Sequence, residues 1–227
     1  MITTQPTVSV IIPAYNESEH IYQTVQATMA ISQVTEVLVI DDASVDDTAI
    51  LAEKAGAKVI KLEKNSGKGG ALNRGVKEAT GDILLLLDGD LGSTASYGGA
   101  LLSPLLQDEA DMTIAKFPKA QKKGGFGLVK GLAKAGIKYF TGLEVEAPLS
   151  GQRAMTKAVV KDILPFASGY GVEVSLTIKV ARLGYRIKEV PVQMTHAETG
   201  RDIAGFKHRG KQFVHVAKEL FVCFLNR

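Results

Sequence analysis

The sequence predicts an α/β domain: a mostly parallel central sheet with helices on both faces and a C-terminal amphipathic helix. Three observations predict it. Short β-branched runs alternate with segments of helical apolar spacing through the first half of the chain, which is the pattern of βαβ crossovers. One run, "DILLLLD" (82–88), is apolar without interruption, as suits a central strand buried on both faces. The residues that follow each of the first four strands are polar or Gly-rich, and open α/β sheets gather ligands at such strand ends.

The elements follow in order. "VSVII" (8–12) reads as a strand, and "SEHIYQTVQATMAI" (18–31) as a helix with Ser18 at its N-cap. "EVLVID" (36–41) is the second strand, and "DDTAILAEKAG" (46–56) a helix closed by Gly56, with Asp46 or Ser44 capping its start. "AKVIKL" (57–62), the helix "KGGALNRGVKEATG" (68–81) and the leucine strand complete the first half. "DMTIAKF" (111–117) is a further strand. The Lys- and Gly-rich stretch 118–136 is either a solvated connection or a lid, passing into a basic helix. "PLSGQRAM" (148–155) gives a turn and strand, and "GVEVSLTIKVARLG" (171–184) a helix. "YRIKEVPVQMTH" (185–196) is a strand that Pro191 places towards an edge, and 206–227 a basic amphipathic helix.

At 227 residues, with 45% hydrophobic and 22% charged residues, the chain suits a single domain with a sizeable core. The net charge of +3 is mild, and no nucleic-acid partner is expected. The single cysteine, Cys223, excludes an internal disulfide and a Cys-built zinc site. No run of 18 apolar residues and no basic n-region occur, so neither a transmembrane helix nor a signal peptide is expected; the expected location is cytoplasmic.

Chemistry gathers at the strand ends. Asp88 and Asp90 follow the leucine strand one residue apart, and two carboxylates that close repel unless solvent or a cation lies between them. All-oxygen donors suit a hard ion, Mg²⁺ or Mn²⁺, that keeps positions open for phosphate oxygens. Asp41 and Asp42 end the second strand, where a carboxylate can accept hydrogen bonds from a base or ribose. The first strand leads into "PAYNES", without the Gly-x-Gly-x-x-Gly cradle, and "NSGKGGALNRG" (65–75) lacks the Walker spacing. Its glycines let backbone approach a ligand, and Lys68 or Arg74 supplies positive charge. His196 is a candidate metal ligand or a structural histidine; Glu173 is a candidate general base or a helix-dipole cap.

Together "VSVIIPAYNE", "VLVIDDASVDDT", "NSGKGGALNRG" and "GDILLLLDGD", spanning residues 7 to 92, resemble family 2 glycosyltransferases of the GT-A fold. "PLSGQRAM", "LPFASGYGVEVSLTI" and His196 are similar to glucosyl-3-phosphoglycerate synthases, and polyprenyl-phosphate sugar transferases share a similar layout. The resemblance implies a nucleotide-binding half (1–92), an acceptor half (93–205) and the final helix (206–227). It implies that Pro13, Ala14, Tyr15 and Glu17 line a uridine or guanosine pocket, with Asp42 near the base, Lys68 near the nucleotide and Asp88 on ribose or sugar. Asp90 and His196 would hold Mg²⁺ or Mn²⁺ on the diphosphate, and Glu173 would sit on the sugar and acceptor side. The implied reaction moves a hexose from a nucleotide-diphosphate sugar, UDP-glucose-like or GDP-mannose-like, to a small phosphorylated or polyprenyl-phosphate acceptor. A nucleotidyltransferase and an inactive nucleotide-sugar binding module are the alternatives. The synthases carry a His-Arg-Asn-like sequence where this chain has His196-Ala197-Glu198. Further expectations are peripheral membrane contact and a homodimer, both through the last helix.

Overall fold

The computed structural model describes residues 6–118, 127–167, 169–195 and 203–225. The first half follows the expected alternation: β1 (Val8–Ala14), α1 (Ile21–Met29), β2 (Val34–Asp41), α2 (Thr48–Lys54), β3 (Lys58–Lys61), α3 (Gly67–Glu78) and β4 (Ile83–Leu86). A 3₁₀ turn over Gly92–Gly98 then leads to α4 (Gly99–Leu106) and β5 (Met112–Lys116). The remaining elements are α5 (Leu128–Thr141), β6 (Arg153–Thr156), α6 (Lys157–Ile163), α7 (Val172–Arg182), β7 (Ile187–Pro191) and α8 (Ile203–Leu225).

The strands form one sheet in the order β3-β2-β1-β4-β6-β5-β7. β6 alone runs against its neighbours, pairing antiparallel with both β4 and β5. Its pairing sets Leu86 opposite Arg153, so the residues entering β6 lie beside the carboxyl end of β4. That reversal carries Gly151 and Gln152 to the rim where β1, β2 and β4 end. Pro191 closes β7 at the sheet edge, where a missing N–H breaks no ladder bond on the open side.

The leucine run divides by alternation. Leu85 and Leu87 join one core layer with Val10, Ile12, Val25 and Leu101, while Leu84 and Leu86 join the other with Ile11, Ile40, Val160 and Leu176. Each fully buried leucine contributes about 1.5–3 kcal/mol by transfer from water. A third cluster, including Ile137, Val174, Ile178, Val216 and Cys223, binds α5, α7 and α8. Cys223 is a buried small hydrophobe whose thiol pKa burial raises.

Two expected caps lie elsewhere. The first helix begins at Ile21 rather than at Ser18, with His20 at the cap position and no side-chain cap bond. Ser18 instead donates its N–H to Asp46 Oδ2 at 3.2 Å. The second helix begins at Thr48, and Asp46 Oδ1 accepts the Thr48 N–H at 3.0 Å from outside it; Ser44 is not its cap. Local spacing identified good capping residues, and tertiary partners across the rim claimed them.

Candidate active site

The rim is built by stitching the first two strand ends together. Asn16 donates its N–H to Ser44 Oγ (2.9 Å) and accepts the Val45 N–H on Oδ1 (3.0 Å), while the Glu17 N–H reaches Thr48 Oγ1 (2.8 Å). Asn16 and Ala43 both sit at left-handed backbone angles, φ 56° and 64°. For Ala43 that conformation costs about 1–2 kcal/mol, held by the surrounding bonds. Ala14 is buried and Pro13 half-buried, whereas Tyr15 stands 49% exposed.

The acid cluster of residues 41–48 divides its work. Asp41 Oδ1 accepts the Ser44 N–H at 3.1 Å. Asp42, buried, accepts Ser66 N–H (2.7 Å) and Ser66 Oγ–H (2.9 Å) on Oδ1 and Gly67 N–H (2.8 Å) on Oδ2. A carboxylate on the first amides of α3 stabilises that helix end by charge-assisted bonds and by its dipole. Asp42 therefore fixes the direction from which the next residue, Lys68, enters the rim.

Lys68 is the hub. Its Nζ lies 2.7 Å from Asp88 Oδ1 and 3.0 Å from Glu173 Oε1. Burial alone would lower its pKa, but the charges of Asp88 and then Glu173, with their hydrogen bonds, outweigh that and hold it above the ordinary lysine value. Gln152 completes the arrangement by donating Nε2–H to Asp88 Oδ2 at 2.6 Å. Both oxygens of Asp88 thus have a fixed donor. Gly151 makes room: a Cβ there would fall 2.3 Å from Lys68 Nζ and 2.9 Å from Asp88 Oδ2.

Behind Glu173, the buried Arg153 donates Nε–H to Ser150 O and Nη1–H to Thr177 Oγ1, both at 2.9 Å. Thr177 Oγ1 in turn donates to Glu173 O at 2.9 Å. Burial pushes the guanidinium down to about 10, opposed by the charges of Glu173 and Glu189. This chain of contacts pins the first turn of α7 to β6 and so fixes where Glu173 stands.

Glu17 reports the charge of the site. Burial first, then the charges of Asp90 and Asp88, push its carboxyl up to about 7. A half-buried concentration of carboxylates, all oxygen donors, fits a hard divalent ion, whose charge would relieve that repulsion. Asp90 is half-buried four residues past the end of β4. Among the described residues no group of three His, Cys, Asp or Glu side chains is assembled as a metal cage. The expected second ligand, His196, lies outside the described residues.

The structure brings Lys68, Asp88 and Glu173 into direct contact and sets Glu17 within the field of Asp88 and Asp90. It takes Arg74 away: that guanidinium pairs with Glu78 Oε1 at 2.9 Å along α3, one turn on. Reasoning from sequence missed Gln152 and Arg153. The Gly-Gln-Arg stretch was visible as a turn before a strand, but the direction of that strand, which places both residues, leaves no local signature.

An open sheet with ligand-facing loops at its carboxyl rim and an Asp-x-Asp pair ending its central strand defines a nucleotide-sugar transferase fold of the GT-A type. The comparisons agree and are more specific. Residues 9–163 match the model of glycosyl transferase family 2, and the chain belongs to that family. The glucosyl-3-phosphoglycerate synthase of Mycolicibacterium smegmatis is 33% identical over 192 residues, covering 76% of this chain and 63% of the relative. Glycosyltransferase AglJ of Haloferax volcanii is 29% identical over 208 residues, covering 88% of this chain and 66% of its own length. This chain therefore spans just under two thirds of those relatives. The crystal structure of the Mycobacterium tuberculosis synthase with Mn²⁺, UDP and glucosyl-3-phosphoglycerate superposes with TM-score 0.81 at 28% identity, covering 96% of this chain and 80% of that one.

Proposed function

We propose that the chain transfers a hexose from a nucleoside diphosphate sugar to a phosphate-bearing acceptor, with Mg²⁺ or Mn²⁺ bound at Asp90. The observation that carries this reading is the Lys68–Asp88–Gln152 arrangement at the mouth of β4, beside Asp90 and inside a surplus of carboxylate charge. Support comes from the M. tuberculosis synthase, whose crystals contain UDP-glucose, phosphoglyceric acid and Mn²⁺ together. When bound, the ion supplies Lewis-acid neutralisation of the departing diphosphate.

The chain's own groups do the rest. Pro13, Ala14, Tyr15 and Glu17 line the base pocket, with Asp42 holding the neighbouring α3 entry near the base. Asp88, with both oxygens fixed, accepts hydrogen bonds from ribose or sugar hydroxyls. Asp90 and His196 would hold the ion. In the reaction the bond from the anomeric carbon to the diphosphate oxygen breaks, its electron pair leaves with the nucleotide, and an acceptor oxygen forms the new bond. An anionic phosphate oxygen brings no proton to be removed, and a hydroxyl oxygen gives its proton to the departing diphosphate. Glu173, engaged by Lys68 at 3.0 Å, then serves as a positioning residue that sets the lysine rather than as a general base.

Incubation with UDP-glucose or GDP-mannose and Mn²⁺ tests the reading. Slow release of nucleoside diphosphate is expected. Pyrophosphate release from a nucleoside triphosphate would instead make the chain a nucleotidyltransferase, although "PAYNES" is not the Gly- and Arg-containing loop that chemistry expects. Nucleotide-sugar binding without turnover would leave an inactive module.

A further inference from the structure

We infer, resting on the transfer proposed above, that Arg153 is a positioning residue of the site: its charge, rather than its packing, keeps the cluster around Lys68 open to a diphosphate. The side chain stands where the fold calls for an apolar one. It is 0% exposed, and the residues opposite it in the sheet are Leu86 on β4 and Ile114 on β5, both core leucine or isoleucine. Taking a guanidinium fully out of water is costly unless an acid meets it. Here none does. Among the described residues Arg153 makes no ion pair: Nε and Nη1 reach only the neutral Ser150 O and Thr177 Oγ1, both at 2.9 Å, and Nη2 has no hydrogen-bond partner. Burial lowers its pKa to about 10, which leaves it charged at neutral pH. An unpaired charge in a core is a burden on stability, and its use lies in the site beside it.

That charge has a place to act. Gly151, whose Cβ would fall 2.3 Å from Lys68 Nζ, is two residues away along the chain, a span of at most about 7 Å. Lys68 is held by two carboxylates, Asp88 at 2.7 Å and Glu173 at 3.0 Å, so these three side chains carry one positive and two negative charges. Alone they would present a net negative cluster to an anionic diphosphate. Arg153 stands in the field of Glu173, and with it the cluster holds two charges of each sign and is neutral. Lys68 can then turn its third N–H to a phosphate oxygen without like charge opposing the approach. A field that acts through the protein interior is also screened little by salt. Glu189 is the second acid that Arg153 feels. Its carboxylate accepts the Glu146 N–H at 2.9 Å and the Ala147 N–H at 2.6 Å, and among the described residues it bonds to neither Lys68 nor Asp88. It therefore opposes the charge of Arg153 without holding the cluster.

Isothermal titration of the full chain with UDP and with GDP, each with Mg²⁺, tests this without acceptor or turnover. Arg153→Gln removes the charge and Arg153→Lys keeps it, while both lose the guanidinium fork. A unit charge about 10 Å away, at an effective dielectric of about 20, changes affinity roughly tenfold. Arg153→Gln should therefore bind the diphosphate about tenfold more weakly, with Arg153→Lys within about threefold of the unaltered protein. Equal affinities for the two variants, or an unchanged affinity for Arg153→Gln, would confine Arg153 to packing and overturn the inference. Glu189→Gln gives a second readout that does not depend on Arg153→Gln folding. Removing the charge that opposes Arg153 should tighten diphosphate binding about threefold, and an affinity that stays the same or falls overturns the inference. Failure of the unaltered protein to bind either nucleotide overturns the proposed transfer itself, and the role of Arg153 with it.

Discussion

Replacing Glu173 by glutamine separates two roles that the same carboxylate could play. The ion pair with Lys68 is 3.0 Å long, and its side chains are only 10% and 24% exposed, so water screens it little. A charge-assisted hydrogen bond in such a setting contributes about 1.5–3 kcal/mol, and the amide retains a neutral bond of about 1 kcal/mol, leaving a loss of about 1–2 kcal/mol. For a chain of this size each kcal/mol shifts the thermal midpoint by about 2–4 °C, so Glu173→Gln should lower it by about 5 °C. A lysine released on one side also holds the nucleotide less firmly. The donor KM should rise while kcat falls by less than about tenfold. A general base would behave otherwise: kcat would fall about 10²–10⁴-fold at nearly constant KM. Calorimetry of the metal-free protein beside donor-saturation kinetics reads both. An unchanged midpoint with a hundredfold loss of kcat at constant KM would refute the positioning role.

Three further outcomes are expected. Asp90→Asn should abolish the dependence of UDP affinity on Mn²⁺ in isothermal titration while leaving the thermal midpoint within about 2 °C, since a half-buried rim carboxylate is not core; retained metal dependence would remove Asp90 from the ion site. Gly151→Ala should cut donor affinity more than stability, because its methyl group displaces Lys68 Nζ from Asp88; unchanged donor binding would show that the lysine position is dispensable. For Glu17, whose carboxyl is raised to about 7, the folded state holds a proton that the unfolded state has lost above about 4.5, so this group's stabilisation declines as pH rises from about 4.5 to 7. Glu17→Gln should therefore gain thermal stability over the wild type progressively across that window in chelator-treated protein, and parallel pH curves would contradict the charge picture.

What the sequence makes legible here is periodicity and order. The leucine run of β4 could only be a strand buried on both sides, and Leu84 to Leu87 divide between two core layers as that requires. The four rim stretches were recognisable because strand ends are local features. Partnership was not. Lys68 meets Glu173 across more than a hundred residues, and no spacing rule encodes such a contact. Asp42 looked like a ligand acceptor and proves also to be the carboxylate on the α3 amides, because its donors arrive from a loop 24 residues on. α4 went unread for a local reason: Pro104 inside it and the glycines before it signal a break, yet Leu101, Leu102 and Leu105 bury enough surface to hold the helix.

The reversed direction of β6 has a consequence for how the molecule is made. Until residue 156 has left the ribosome, the flank of β4 that β6 will occupy stays unpaired, a naked Leu-rich edge in the middle of the growing sheet. An isolated first half is for that reason a sticky nascent chain, and any division of this protein into separately expressed halves cuts through a hydrogen-bonded seam rather than a hinge.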